Sequence, residues 1–277
     1  MTPEPVPSLR QLLAFYVDAG VDCALSDEPI DRLAVEEIVA EAPRPSAPAA
    51  PRLQSPIAPR PALPANIPAT PEAAIVSARE AAATAPTLEA LRALMQSFDG
   101  CALRTTATQL VFADGNPQAR LMLVGEAPGR DEDIEGLPFV GRSGKLLDLM
   151  LAAIGLDRSK VYIANVIPWR PPGNRTPTPQ ETQICLPFIK RQIELVNPDV
   201  LVTLGNPSTQ ALLETREGIM RTRGRWVDYH TGTRTIRALP TLHPAYLLRQ
   251  PTYKRHAWQD LRAIVTALEA TEKSAAS

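Results

Sequence analysis

A chain of 277 residues with 44% hydrophobic side chains can bury one sizeable core and still carry an appendage. Its net charge of −1 excludes any whole-chain attraction to nucleic acid or membrane, so such a signal has to be regional. Three distant cysteines (Cys23, Cys101, Cys185) exclude a disulfide framework. The apolar runs fall short of the roughly 18 residues that span a bilayer, and there is no basic, apolar leader. A soluble, cytoplasmic monomer is the expectation.

The chain divides into three parts: 1–40, 41–71 and 72–277. In the first, Leu9, Leu12, Leu13, Tyr16 and Val17 share a helical face behind Ser8, predicting a short helix pair over residues 8–40, suited to docking or to a protein partner. From Pro43 to Pro71 there are ten prolines and no aromatic residue, a composition that reads as an extended, largely disordered linker. Residues 70–98 return to a helical pattern broken near Pro86, where Thr84 or Thr87 can cap the second piece.

From about residue 99 strands, loops and helices alternate. The apolar strand 119–125 leads through a glycine-rich loop to a helix from Ser143 that Gly155 ends. Strand 160–169 leads through "RPPGNRTPTP" to a helix capped by Thr178, with Pro179 at its first position and Glu181 completing a capping box. Strand 199–205 precedes a helix begun by "NPSTQALL"; "TRTIRALP" is the last strand before "TLHPAYLLRQP" and a final helix over roughly 253–272. Continuous apolar strands alternating with helices predict an α/β fold, three-layer α/β/α, with a mainly parallel sheet. Ligands of such sheets sit beyond the carboxyl ends of the strands, which singles out the loops at 125–143, 165–178, 205–208 and 241–250.

The first of these, "GEAPGRDEDIEGLPFVGRSG", holds five glycines and five carboxylates in twenty residues, too bendable and too acidic for an ordinary helix or strand. A solvated acidic loop is the plain reading, with even odds. A Walker A loop fails, because Arg142 stands in place of the lysine. Asn165 in the second loop can read a planar amide or base edge, although a turn-capping Asn is commoner. His243 and Phe139 are, taken singly, more often structural than functional.

Taken in order, "GEAPGRDEDIEGLPFVGRSGKLL", "YIANVIPWRPPGNRTPTPQE", "VLVTLG" and "PTLHPAYLLRQP" resemble the family 4, iron-sulfur uracil-DNA glycosylases over residues 98–268. The resemblance implies a small four-stranded parallel sheet and hydrolysis of the bond between uracil and deoxyribose in DNA, the first step of base excision repair. It further implies Glu126 on the attacking water, with Glu132 as a second acid. His243 would donate to uracil O2, Asn165 would recognise N3 and O4, Phe139 would stack on the flipped ring, and backbone N–H groups of Gly129 and Arg130 would contact the base. DNA would be held by Ser143 and Ser208 near helix starts and by Arg249, with Leu247 or Leu248 as the wedge. Nine Lys or Arg between Arg216 and His256 against two acids, Glu217 and Asp228, favour phosphate contact over a merely solvated face.

The cysteines depart from the family. Its cluster takes four, whereas here Phe98 and Trp169 occupy two of those positions and only Cys101 and Cys185 remain, so no cluster and no other metal is expected. Two other functions compete. One is a non-hydrolytic or covalently captured uracil-DNA-binding protein, whose covalent branch carries a basic, His-containing insertion for which "PFVGRSGKLL" leaves no room. The other is a scaffold working through its N-terminal helices, which the intact Glu126, Asn165 and His243 argue against.

Overall fold

The computed structural model describes residues 70–275. The helix pair expected over 8–40 and the linker up to residue 69 lie outside the described residues. The described chain opens with α1 (Pro71–Thr84) and α2 (Leu88–Ser97). Thr70 and Thr87 cap them: their hydroxyls accept from the N–H groups of Ala73 (3.3 Å) and Ala90 (3.2 Å). The break falls at Pro86 because a proline forces the residue before it out of the helical region, and Ala85 is extended (ψ 112°). The freed Ala85 carbonyl accepts from Arg191, at 3.0 and 2.8 Å.

After the short α3 (Leu103–Thr106) come β1 (Asp114–Gly115), β2 (Leu121–Gly125), α4 (Arg130–Glu135), α5 (Arg142–Ala152) and β3 (Val161–Asn165). Next are α6 (Pro179–Val196), β4 (Val200–Leu204), α7 (Asn206–Leu213), α8 (Ile219–Thr222), β5 (Val227–His230), β6 (Thr235–Thr241), α9 (Pro244–Arg249) and α10 (Lys254–Ala275). The capping box expected at Thr178 and Glu181 forms at the start of α6. The acidic loop is not all loop: Arg130–Glu135 is helical. Three acids in its first turn suit the positive end of the helix dipole, and Gly136 ends it in the left-handed region (φ 75°).

The sheet order is β1-β3-β2-β4-β6-β5. The four inner strands are parallel, as expected, but the sheet has six strands rather than four, because β1 and β5 add antiparallel edges. Neither edge leaves an apolar run in the sequence: β1 is two residues long and β5 buries only Tyr229. Alternate residues of the inner strands face opposite layers. Met122, Val124, Tyr162, Leu201 and Ala238 share a core with α1, α2 and α6, while Leu121, Leu123, Ile163, Val202 and Leu239 share one with Leu147 and Leu151 of α5 and Leu261 and Ile264 of α10. With both faces covered, ligands reach the sheet only at its ends.

Candidate active site

The chain leaves β2 for β3 on one side and reaches β4 on the other, so the loops after β2 and β4 diverge and open a crevice at the carboxyl ends. Gly125 pairs with Asn165 across β2 and β3, and the Gly205 N–H donates to the Thr241 carbonyl (2.9 Å), so all four predicted loops meet at one edge. Between the first, second and fourth lies a cavity of about 400 Å³ lined by Glu126, Phe139, Asn165 and His243, whereas no residue of 205–208 lines it. A methyl group on Gly125 would lie 2.4 Å from Asn165 Oδ1 and 2.6 Å from the Phe139 ring, so only glycine lets these two side chains close on the strand end.

Asn165 is buried and lines the cavity, and its side-chain amide makes no hydrogen bond among the described residues. The carboxylate of Glu126, half-buried, likewise has no ion pair or hydrogen bond there, and burial raises its pKa above the ordinary carboxylate value. Both groups are free to meet a ligand. His243 caps α9, and its Nδ1 accepts from the Ala245 N–H at 3.1 Å. That bond leaves the proton of the neutral ring on Nε2, making Nε2 the donor. Burial, assisted by the Arg249 charge, lowers its pKa to about 4, so the ring is uncharged at neutral pH. Phe139 lies beside it, ring centroids 5.4 Å apart and 29° from parallel. Phe139 adopts φ 56°, a left-handed conformation that costs a bulky residue about 1–3 kcal/mol and has to be held by its surroundings.

Several residues singled out by sequence do other work. Glu132 is buried and both its oxygens are engaged: Oε2 accepts from Gly129 N–H (3.0 Å), and Oε1 from Val140 (3.1 Å) and Gly141 (3.0 Å). It clamps the loop rather than offering a second free acid, and it consumes the Gly129 donor. Arg130 is exposed and does not line the cavity, whereas Ser143 and Arg249 do. Ser208 is fully buried and donates to the Leu204 (2.9 Å) and Gly205 (3.2 Å) carbonyls, which withdraws it from phosphate contact. Leu247 is 1% exposed and packs with Leu242 and Ala257, whereas Leu248 is 38% exposed.

The basic patch also thins. Arg223 pairs with buried Asp260 (Nε 3.1 Å), Arg234 binds Asp199 and neighbouring carbonyls, and Arg237 lies 4.1 Å over the Trp226 ring. Six of the nine, Arg216, Arg221, Arg225, Arg249, Lys254 and Arg255, stay exposed with neither an ion pair nor a ring contact among the described residues. Sequence reasoning missed the opposite wall, Pro171, Asn174, Arg175 and Thr176. Its signal was the "PPGNR" turn: Asn174 takes φ 54° and accepts from Arg170 (2.7 Å), and Arg175 grips Glu181 with both terminal nitrogens, the Nη1 contact at 2.8 Å and the Nη2 contact at 2.6 Å.

A parallel α/β sheet whose strand ends present a free carboxylate, a free amide and an uncharged imidazole around one cavity defines a class of base-recognising hydrolase. The chain belongs to the uracil DNA glycosylase superfamily, which it matches over residues 112–262. It is 40% identical to the type-4 uracil-DNA glycosylase of Thermotoga maritima over 188 residues, 68% of this chain and 92% of that protein. Identity is also 40% to the type-4 enzyme of Archaeoglobus fulgidus over 168 residues, 59% of this chain and 84% of that protein. With that of Sulfurisphaera tokodaii it is 39% over 182 residues, 64% and 83% of the two chains.

The iron-sulfur cluster implied for family 4 does not fit the residues present. A cubane cluster needs four ligands. Here two buried thiols, Cys101 and Cys185, lie 3.9 Å apart in an apolar core that also holds Phe98 and Trp169, with Phe98 packed edge-on to Phe188 at 5.0 Å. The Cys185 thiol donates to Cys101 Sγ, which together with burial pushes the Cys185 pKa up and keeps its proton on. No group of three or more His, Cys, Asp or Glu among the described residues is arranged to hold a metal.

Proposed function

We propose that this protein hydrolyses the N-glycosidic bond of deoxyuridine in DNA, releasing uracil and leaving an abasic site for base excision repair. The observation that carries this reading is the convergence of Glu126, Asn165 and His243 on one cavity, the side chains of the first two without hydrogen-bond partners among the described residues. The bond is out of reach inside a duplex, so the nucleotide is flipped into the cavity, with Leu248 filling the gap and the Phe139 face receiving the ring. Asn165 accepts from uracil N3–H and donates to O4. Cytosine offers an amino group at position 4 and no proton on N3, so it mismatches both atoms of the amide in the orientation that reads uracil.

As the bond between C1′ and N1 breaks, its electron pair enters the uracil ring and negative charge gathers on O2. The Nε2–H of neutral His243 donates to that oxygen, a contact worth about 3–4 kcal/mol where such donors have been removed elsewhere. Water forms the new bond to C1′ and its proton passes to Glu126, whose raised pKa suits a general base. No helix among the described residues is long and apolar enough to cross a membrane.

The test is incubation of the full chain with a uracil-containing oligonucleotide, then alkaline cleavage at abasic sites. Wild type should cleave, with Glu126→Ala and His243→Ala each slower by about a hundredfold or more. No uracil release by wild type rejects the enzyme, and an adduct surviving SDS turns the reading toward covalent capture. We infer too that the chain folds and acts without a cluster; stoichiometric iron and sulfide in anaerobically purified protein would overturn this.

A further inference from the structure

The strained residue at the base site has an external brace. The segment 138–141 is gripped on two sides: Glu132 accepts from the N–H groups of Val140 and Gly141, and Arg158 donates to the carbonyls of Pro138 (Nη1, 3.1 Å) and Phe139 (Nη2). Arg158 comes from the 3-10 turn before β3, nineteen residues past Phe139, and is itself anchored by Asp114 of β1 (2.6 Å) and Asp148 of α5 (2.8 Å). The Phe139 carbonyl lies so close to Gly144 that a methyl group there would sit 1.6 Å from its oxygen, so only glycine at 144 leaves room for the carbonyl in this position. Arg158 does not line the cavity.

We propose that Arg158 is a positioning residue for the flipped base: its guanidinium, anchored by the β1 edge strand, bridges the carbonyls of Pro138 and Phe139 and sets the plane of the Phe139 ring. A planar fork can serve two carbonyls and two carboxylates at once, whereas a lysine ammonium on a flexible stem cannot. The short antiparallel β1 thereby acquires a use, since it presents Asp114 to Arg158. The proposal rests on the reading that Phe139 stacks on the base.

The experiment uses the full chain as wild type, Phe139→Ala, Arg158→Gln, Arg158→Lys and Asp148→Ala, with each Arg158 variant also combined with Phe139→Ala. Free uracil is titrated as an inhibitor, and single-turnover uracil release is measured against enzyme concentration. Phe139→Ala should weaken inhibition on the order of tenfold, as expected for one lost base–aromatic stack. Arg158→Gln and Arg158→Lys should reproduce most of that loss, raising the half-saturating concentration more than they lower the limiting rate. Each double variant should be no worse than Phe139→Ala alone. Asp148→Ala, which removes one of the two carboxylate anchors and spares both carbonyl bonds, should weaken inhibition less than either Arg158 variant does. Arg158→Lys carries the test if Arg158→Gln does not fold. Wild-type inhibition in the Arg158 variants, or losses that add in the doubles, overturns the proposal and leaves stacking intact. Wild-type inhibition in Phe139→Ala overturns the stacking reading and the proposal with it.

Discussion

His243 should work as a neutral donor, and pH separates that from the charged alternative. Its pKa is lowered from 6.5 to about 4 by burial and then by Arg249, so about one ring in a thousand is protonated at pH 7. Glu126 moves the other way, above 4.5. With Glu126 ionised and His243 neutral in the reactive state, log kcat/KM for uracil release should be flat from neutral to alkaline pH. It should fall with slope one through the raised Glu126 pKa and with slope two below about 4. An imidazolium donor would instead make the rate climb about tenfold for each pH unit of acidification from neutrality, until Glu126 protonates. The assay is a pH series on wild type and His243→Asn; a rate rising on acidification refutes the neutral ring. Stability gives a second reading. A lowered pKa means the folded state binds fewer protons than the unfolded state between 6.5 and about 4, so stability falls as pH drops through that window. The two pKa values bound the loss at about 3 kcal/mol, and His243→Asn should not show it.

The two leucines should separate by chemical denaturation. Leu247→Ala should lose about 2–5 kcal/mol as a cavity in the core, while Leu248→Ala should keep its stability and slow release from duplex more than from single strands; the opposite pattern makes Leu247 the wedge. Glu132→Ala strands three backbone donors, so it should cost several kcal/mol at about 1.5–3 per charge-assisted bond, not fully additive. Lost activity with unchanged stability would return Glu132 to the chemistry. With six exposed, unpaired basic residues, the logarithmic salt dependence of duplex binding should have a slope no steeper than about −5, and a slope near −8 would mean that Arg223, Arg234 and Arg237 also reach phosphates.

Much was legible from residue order because it depends on local physics. Apolar runs such as Leu121–Val124 announce buried strands, and Thr87 and Thr178 announce helix starts. The four loops at the carboxyl ends followed from the alternation, and motif order placed Glu126, Phe139, Asn165 and His243 in a single reading. What stayed hidden depends on partners far away in the chain. Nothing local distinguishes Leu247 from Leu248, Ser143 from Ser208, or Glu132 from Glu126. Each pair parts only when packing buries Leu247 and Ser208 and aims backbone donors at Glu132. The edge strand β1 carries no apolar signal, because its pairing with β3 is all that makes it a strand. Sequence alone determined the fold class and that the cavity is built from loops at the carboxyl ends of the strands. Tertiary structure decided which side chains in those loops are free to act, because freedom is set by what neighbours from elsewhere in the chain have already claimed.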